Sequence, residues 1–159
     1  MKSRYLASSL LLALLAAPLA PAQDAPAAAP APAAPANKPK KTELAKDMDK
    51  INRAVRTLRK QINDASQNES SLALVATIHD AAVAADKETP AWTADQPQAD
   101  QAKFVDDYHT KMKDFIGDVD KLTDALKAGD NAAAAKLFAG LGQDEKAGHK
   151  QFRKPEEKH

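Results

Sequence analysis

The chain has 159 residues, of which 28% are charged, and its formal net charge is +1 at pH 7. Residues 1–41 contain five basic residues and one acidic residue, so the remainder carries 18 basic and 21 acidic side chains, a net charge of about −3. A mildly acidic surface of mixed sign argues against nucleic acid or an anionic membrane as a partner. Cysteine is absent, which excludes disulfides and any cofactor attached through thioether links.

The N-terminal segment has the pattern of a secretory signal peptide. Two basic residues precede an apolar run at 6–17, and Ala20 and Ala22 are the small residues that a signal peptidase requires. The run is shorter than a typical membrane span, and no stop-transfer flank follows it. We therefore predict that residues 1–22 are cleaved, that the protein is periplasmic, and that it makes no stable membrane insertion. An uncleaved N-terminal anchor is the alternative.

Residues 23–41 consist almost wholly of alanine and proline, and they end in a lysine-rich stretch. Such a segment has little apolar surface to bury, and its prolines favour extended backbone. We interpret 23–41 as a disordered linker and 155–159 as a disordered tail. A single domain is then expected over 42–154.

Four segments of this domain repeat apolar residues at steps of three and four, which is the period of an amphipathic helix. The predicted helices cover 42–64, 69–87, 100–128 and 131–153. Their apolar stripes comprise Leu44, Met48, Ile51, Val55, Leu58 and Ile62; Leu72, Val75, Ile78, Ala82 and Ala85; Phe104, Tyr108, Met112, Phe115, Val119, Leu122 and Leu126; and Ala134, Phe138, Leu141, His149 and Phe152. Strand patterns are missing. Short connections predict an all-α, antiparallel up-down-up-down four-helix bundle.

The ends of the predicted helices carry recognisable signals. Thr42 is a plausible N-cap of the first helix, and Pro90 ends the second because proline lacks an N–H donor. Gly129 closes the third helix, and Asp130 caps the fourth at once.

The fourth helix is unusual on its inward side. Gly140, Gly142 and Gly148 lie in its interior, where each costs about 1 kcal/mol relative to alanine. Glu145 and His149 also interrupt its apolar stripe. A helix with low intrinsic stability and polar residues on its core face suggests that it contacts a bound non-protein group. The alternative is that the helix frays toward the C-terminus.

Met48 and His149 form the most informative pair. In an up-down bundle the first and last helices run antiparallel, so the start of one lies beside the end of the other. A thioether and an imidazole would then share one apolar space, which suits the two axial positions of a haem iron. Arg153, one turn beyond His149, could reach an anionic group such as a propionate. Taken singly, each residue also fits an ordinary role: a core methionine, a structural histidine and a cation at a helix C-terminus.

Other chemistry is sparse in this sequence. Glu145 and His149, four residues apart, could share a metal ion, but two ligands make a weak site. We interpret His79 and His109 as solvated side chains. The metal and nucleotide motifs that would mark a known catalytic or cofactor site are absent.

Two segments resemble the cytochrome b562 family. They are residues 43–52, which contain Met48, and residues 149–153, which begin with His149. The resemblance spans about 42–153. It also includes Lys87-Glu-Thr-Pro90, Asp107-Tyr108, Gly117 and Gly129.

The resemblance implies an up-down bundle that holds haem b. Met48 and His149 would be its axial ligands, and Arg153 would contact a propionate. The residues that would line the pocket are Leu44, Ile51, Tyr108 and Met112, the last two standing where the family has phenylalanines. Glu145 replaces a family arginine, and Gly148 replaces a bulky residue. Since no Cys-x-x-Cys-His segment is present, haem attachment would be non-covalent.

We therefore expect a non-enzymatic electron carrier with an unidentified periplasmic redox partner. With both axial positions filled, the iron would have no open site for oxygen or substrate. Two alternatives stay open. One is a haem-free helical bundle that acts as a binding or chaperone module, which would need an exposed apolar groove. The other is a periplasmic metal-binding protein that uses Glu145, His149 and either His79 or His109.

Overall fold

The structure is a computed structural model that describes residues 40–155, and this part of the chain is helical without strands. Its four helices are α1 (Glu43–Gln61), α2 (Asn68–Ala85), α3 (Gln101–Lys127) and α4 (Asn131–Phe152), with short 3₁₀ turns at Ala65–Gln67 and Ala91–Asp95. The prediction of four helices is confirmed, and the structure is consistent with a helical bundle. The signal peptide at 1–22, the linker up to residue 39 and the tail at 156–159 lie outside the described residues.

The predicted helix caps are confirmed. The Thr42 hydroxyl accepts a hydrogen bond from the Ala45 amide at 3.1 Å, and the Asp130 carboxylate accepts one from the Ala133 amide at 2.9 Å. Gly129 has φ +73°, a left-handed conformation that glycine adopts without a Cβ penalty. The first helix ends three residues before the predicted Asp64, because the Asp64 side chain instead caps the 3₁₀ turn through the Ser66 amide.

The apolar stripes form one core. Successive helices pack against each other, α1 on α2, α2 on α3 and α3 on α4. Most stripe residues are buried, whereas Leu44, Met48, Val55, Leu72, Phe104, Phe115 and Phe138 are half-buried at the core margin. Two polar residues are buried with the core, Asp47 and Ser71. Ser71 accepts a hydrogen bond from Gln61, which satisfies its hydroxyl where α1 meets α2.

Several contacts join residues near the end of one helix to residues near the start of another. The Gln61 amide of α1 donates to Ser70 of α2 at 2.9 Å. The Tyr108 hydroxyl of α3 donates to the carbonyl of Ala85, the last residue of α2, at 2.8 Å. Across the chain, the Asn131 amide at the start of α4 donates to the Ile62 carbonyl just beyond α1, at 3.1 Å.

Among residues 40–155, no helix combines the length and apolar character needed to cross a membrane.

Candidate functional site

The first helix presents Met48 at the margin of the core. Its side chain is half-buried and packs against the buried cluster, as does Leu44 one turn earlier, while Ile51 is fully inside. The preceding residue, Asp47, is also buried, and its carboxylate accepts a hydrogen bond from Lys50 at 2.7 Å. This ion pair satisfies the one acidic group that α1 buries beside Met48.

The third helix contributes Tyr108 and Met112, both buried. They are four residues apart and therefore share one face of α3, directed at the core. The Tyr108 ring is held at its far end by the hydrogen bond from its hydroxyl to Ala85. The two residues predicted to line a pocket thus lie in the interior, although one of them carries a polar group.

Burial raises the pKa of the Tyr108 hydroxyl well above its ordinary value of 10.0, and the negative charges of Asp86, Glu88 and Asp47 add to this effect. Both causes disfavour the phenolate, because it would add a further negative charge to apolar surroundings that already have carboxylates nearby. The hydroxyl is therefore a neutral donor over the whole physiological pH range.

An aromatic cluster surrounds Tyr108. The Phe152 ring, near the end of α4, packs edge-on against Tyr108 with ring centroids 5.4 Å apart and against Phe104 at 5.3 Å. Trp92, in the second 3₁₀ turn, packs against Phe104 at 5.9 Å. Edge-to-face geometry is the favourable arrangement for aromatic rings. Sequence reasoning missed this cluster, although Phe104 and Tyr108 at i, i+4 and the otherwise unplaced Trp92 were signals for it.

The fourth helix places His149 half-buried, one turn before its C-terminal end. Within residues 40–155 the His149 ring has no hydrogen bond or ion pair. The other two described histidines differ: His109 Nδ1 lies 3.1 Å from Asp86, and His79 Nε2 lies 3.5 Å from Asp120. The interpretation of His109 as solvated needs correction, since it is half-buried beside Asp86. The His79 side chain is 37% exposed and lies beside the exposed carboxylates of Asp80 and Asp120, in agreement with the interpretation as solvated. Of the three histidines among residues 40–155, only His149 has no carboxylate within ion-pair distance of its ring nitrogens.

The neighbours of His149 on α4 leave space around it. Glu145 and Gly148 are half-buried, and a Cβ built on Gly148 would meet no side chain or other helix within 4 Å. Arg153 is exposed, and its amide donates to the His149 carbonyl at 3.1 Å. The helix continues through its glycines to Phe152, so the fraying alternative is not supported.

The structure thus brings Ile51, Tyr108 and Met112 into one buried core, with Leu44 and Met48 at its margin. It leaves His149 half-buried at the end of α4 and Arg153 exposed beyond it. A half-buried thioether and a half-buried imidazole without a carboxylate partner have the donor atoms that suit a haem iron.

Two depressions lie elsewhere, between α1 and α2. Their volumes are about 240 and 210 Å³, and no predicted haem residue lines either of them.

The metal-binding alternative has little support in the described part of the chain. No group of three histidine, aspartate or glutamate side chains there could hold a metal ion. On α4 this alternative has two ligands, Glu145 and His149. One of the two candidates for a third ligand, His109, is instead paired with Asp86.

Comparison with known proteins assigns the family. A search of curated proteins and a search of solved structures gave no match. A sequence model of the cytochrome b562 family matches residues 43–153, which contain all four helices and every residue of the predicted site. The chain belongs to the cytochrome b562 family.

Proposed function

We propose that this protein binds one non-covalent haem b and carries single electrons. The cytochrome b562 family is a family of haem-binding electron carriers without enzymatic activity. The observation that carries the proposal is the placement of Met48 and His149. Both side chains are half-buried, on the first and last helices of the matched region, and the His149 ring is free of hydrogen-bond partners among residues 40–155.

The proposal includes an up-down-up-down arrangement of the four helices. Its support is the set of contacts that join helix ends to helix starts: Gln61 to Ser70, Tyr108 to Ala85, Phe152 to Tyr108, and Asn131 to Ile62. In such an arrangement the start of α1 and the end of α4 lie at the same end of the bundle. That end is where Met48 and His149 stand.

Each residue then has a distinct role. Met48 and His149 would hold the iron through a soft sulfur and an imidazole nitrogen, a ligand pair that also raises the reduction potential. Four apolar or aromatic side chains would exclude water: Leu44, Ile51, Tyr108 and Met112. Arg153 would offer a cation to a propionate. When bound, haem supplies a one-electron iron couple, and filled axial positions favour electron transfer over catalysis.

A periplasmic location is part of the proposal and is supported by the signal-peptide pattern at residues 1–22. The absence of cysteine agrees with non-covalent haem attachment.

The test is the absorbance spectrum of the purified protein after addition of haemin. We expect low-spin Soret and α bands at one haem per chain. Met48→Ala and His149→Ala should each remove the low-spin spectrum, because each takes away one axial ligand. His79→Ala is the matched control, since His79 is half-buried beside Asp80 and Asp120 and is not a proposed ligand. A wild-type protein without low-spin bands, or a Met48→Ala variant with an unchanged spectrum, would contradict the ligand assignment.

A further inference from the structure

The small net charge of the domain conceals an uneven distribution. Helix α1 carries six basic and three acidic residues, whereas α2 carries two acidic residues and no lysine or arginine. The imbalance lies in the second half of α1, which has no acidic residue after Asp49. We call Arg53, Arg56, Arg59 and Lys60 the α1 basic face. All four side chains are exposed.

Most of the α1 basic face lacks a compensating negative charge, although Arg53 interacts electrostatically with Asp49, four residues earlier. Within residues 40–155, none of its four side chains makes an ion pair or a side-chain hydrogen bond. The hydrogen bond from Lys41 lowers the pKa of Asp49, and the charge of Arg53 adds to this effect. By contrast, the lysines of the first half of α1 are paired, Lys46 with Glu43 and Lys50 with Asp47.

Helix stability explains only part of this face. Arg59 and Lys60 lie in the last turn of α1, where a cation interacts favourably with the helix C-terminus. Arg53 and Arg56 lie outside that turn and gain little from it. Arg53 interacts with the Asp49 carboxylate four residues earlier, which supports the helix, so it is Arg56 whose position needs another explanation.

Residue type points to carboxylate recognition. Three of the four arginines among residues 40–155 stand within seven residues of α1, while α3 and α4 use lysine for their exposed cations and α2 has neither lysine nor arginine. Lysine suffices for solubility, but the guanidinium group binds a carboxylate through two parallel hydrogen bonds. Arginine is also enriched at the centres of protein interfaces.

The surface beside the α1 basic face suits a protein partner. A surface depression of about 240 Å³ lies along the line where α1 meets α2. Arg53 and Lys50 of α1 line one side of it, and Leu74 and Thr77 of α2 line the other. The outer surface of α2 is formed here by small neutral residues, of which Ser70, Ala73, Ala76 and Thr77 are exposed. The exposed carboxylates of Glu69 and Asp80 lie at either end of this stretch of α2, and Arg53 is the residue of the α1 basic face that lines the depression. A small uncharged surface beside cations matches the apolar centre and charged rim of transient interfaces.

The α1 basic face begins close to the proposed haem ligand. Arg53 follows Met48 by five residues, or about 7.5 Å along the helix axis. The face then runs away from Met48 to Lys60, about 18 Å along the axis, so its Arg53 end is the part nearest the proposed haem ligand.

We propose that the α1 basic face docks a partner protein through an acidic surface, and that this partner exchanges electrons with the chain. The docking does not require haem. The electron exchange rests on the proposed function. Positive charge concentrated on one helix of an acidic domain also steers an acidic partner to that helix during diffusional encounter.

The docking test compares two triple variants with equal changes of charge. Arg53→Glu/Arg56→Glu/Arg59→Glu reverses the face, and Lys113→Glu/Lys127→Glu/Lys136→Glu reverses three exposed lysines of α3 and α4 that have no ion pair among the described residues. Poly-L-glutamate is the probe, titrated calorimetrically at low and at physiological salt. We expect the arginine variant to lose about tenfold or more in affinity and the lysine variant about twofold or less. Equal losses would overturn the proposal, because net charge alone would then explain binding.

Two further measurements separate the alternatives. Co-sedimentation with phosphatidylglycerol vesicles tests a membrane as the occupant; arginine-dependent binding to vesicles without binding to poly-L-glutamate would overturn the proposal.

For electron exchange, the haem-loaded proteins are mixed with a reduced acidic flavodoxin, and the rate of haem reduction is followed at the Soret band. We expect a salt-dependent slowing, about tenfold at low salt, in the arginine variant only. If haemin gives no low-spin spectrum, the electron-exchange part fails with the proposed function, and the poly-L-glutamate titration still decides the docking.

Discussion

At the scale of single residues, Tyr108 connects three parts of the molecule. Its ring is buried in the core and packs against Phe152 of α4, while its hydroxyl donates to the Ala85 carbonyl at the end of α2. A phenylalanine would keep the ring contacts and lose the hydrogen bond. The hydroxyl therefore adds a tie between α2 and α3 that apolar packing alone cannot provide.

Removing this hydroxyl should have a modest cost at neutral pH. We expect Tyr108→Phe to lower the free energy of unfolding by about 1 kcal/mol, the usual net value of a buried hydrogen bond. The Ala85 carbonyl keeps the Glu88 amide as a donor at 3.0 Å, which limits the loss. Urea denaturation of the two proteins at pH 7 measures the difference. A loss above about 3 kcal/mol would mean that the variant also disturbs packing.

The same pair of proteins should differ in their response to alkaline pH. The folded-state pKa of Tyr108 lies above the ordinary value of 10.0, so the contribution of the hydroxyl to stability is complete below pH 10. Above pH 10 the unfolded chain loses the proton first, and the stability from this group falls by at most about 1.4 kcal/mol per pH unit. We expect the advantage of wild type over Tyr108→Phe to shrink between pH 10 and 11.5. An advantage that stays constant would contradict this assignment.

Glu145 is the second residue with a specific expected effect. It is half-buried, one turn before His149, at a position where the resemblance implies an arginine. If propionates lie at this end of the bundle, Glu145 repels them. We expect Glu145→Arg to tighten haemin binding by about fivefold, the value of one favourable surface charge pair. Asp144→Arg is the control. Asp144 is exposed and next to Glu145 in the sequence, and its replacement by arginine changes the charge by the same amount. Equal tightening in both variants would indicate net charge rather than position.

At the scale of helices, the sequence predicted much of what the structure has. The helix ends were predicted from Thr42, Asp130 and Gly129. Side-chain caps and a glycine in a left-handed conformation depend only on a few neighbouring residues, so the sequence is enough to recognise them. The periodicity of the apolar residues identified the buried faces for the same reason. The 3₁₀ turn at Ala65–Gln67 lies in the connection between the first two predicted helices and was missed because it is too short to show a period and depends on one side-chain cap, Asp64.

Glycine substitutions at two positions should have opposite effects. Gly129 has φ +73°, so Gly129→Ala should destabilise the fold by about 1 kcal/mol through backbone strain, although space for a methyl group is open. Gly142 is exposed inside α4, and a Cβ there would also meet nothing within 4 Å. Gly142→Ala should therefore stabilise by about 0.5–1 kcal/mol. Thermal unfolding of the haem-free proteins measures both signs. The same sign in both variants would contradict the conformational argument.

Contacts between distant residues could not be predicted in this way. The pairing of His109 with Asp86, the bond from Tyr108 to Ala85 and the bond from Asn131 to Ile62 all join separate helices. Each depends on the relative rotation and height of two helices, which side-chain period alone does not determine. For the site, the sequence singled out Met48 and His149, but the free ring nitrogens of His149 emerged only from the structure.

At the scale of the whole molecule, α1 and α4 are tied at one end. Asn131 donates to the Ile62 carbonyl, and its side chain exchanges two hydrogen bonds with Asn68, at 2.8 and 3.1 Å. The close packing runs between successive helices rather than between α1 and α4. If the helices run up-down-up-down as proposed, Met48 and His149 lie at the other end, and a ligand held by both would supply the missing tie there. Haem would then be part of what holds the first helix to the last.

This arrangement predicts that haem stabilises the fold. A ligand that binds only the folded state adds about 2.7 kcal/mol when its free concentration is 100 times its dissociation constant. We expect excess haemin to raise the unfolding midpoint of the wild-type protein in urea, and to raise that of His149→Ala much less, since the α4 ligand is lost. His79→Ala, with its histidine outside the proposed site, should keep the full increase. An equal increase in wild type and His149→Ala would show that haemin binds elsewhere on the molecule and that α1 and α4 are not joined through the iron.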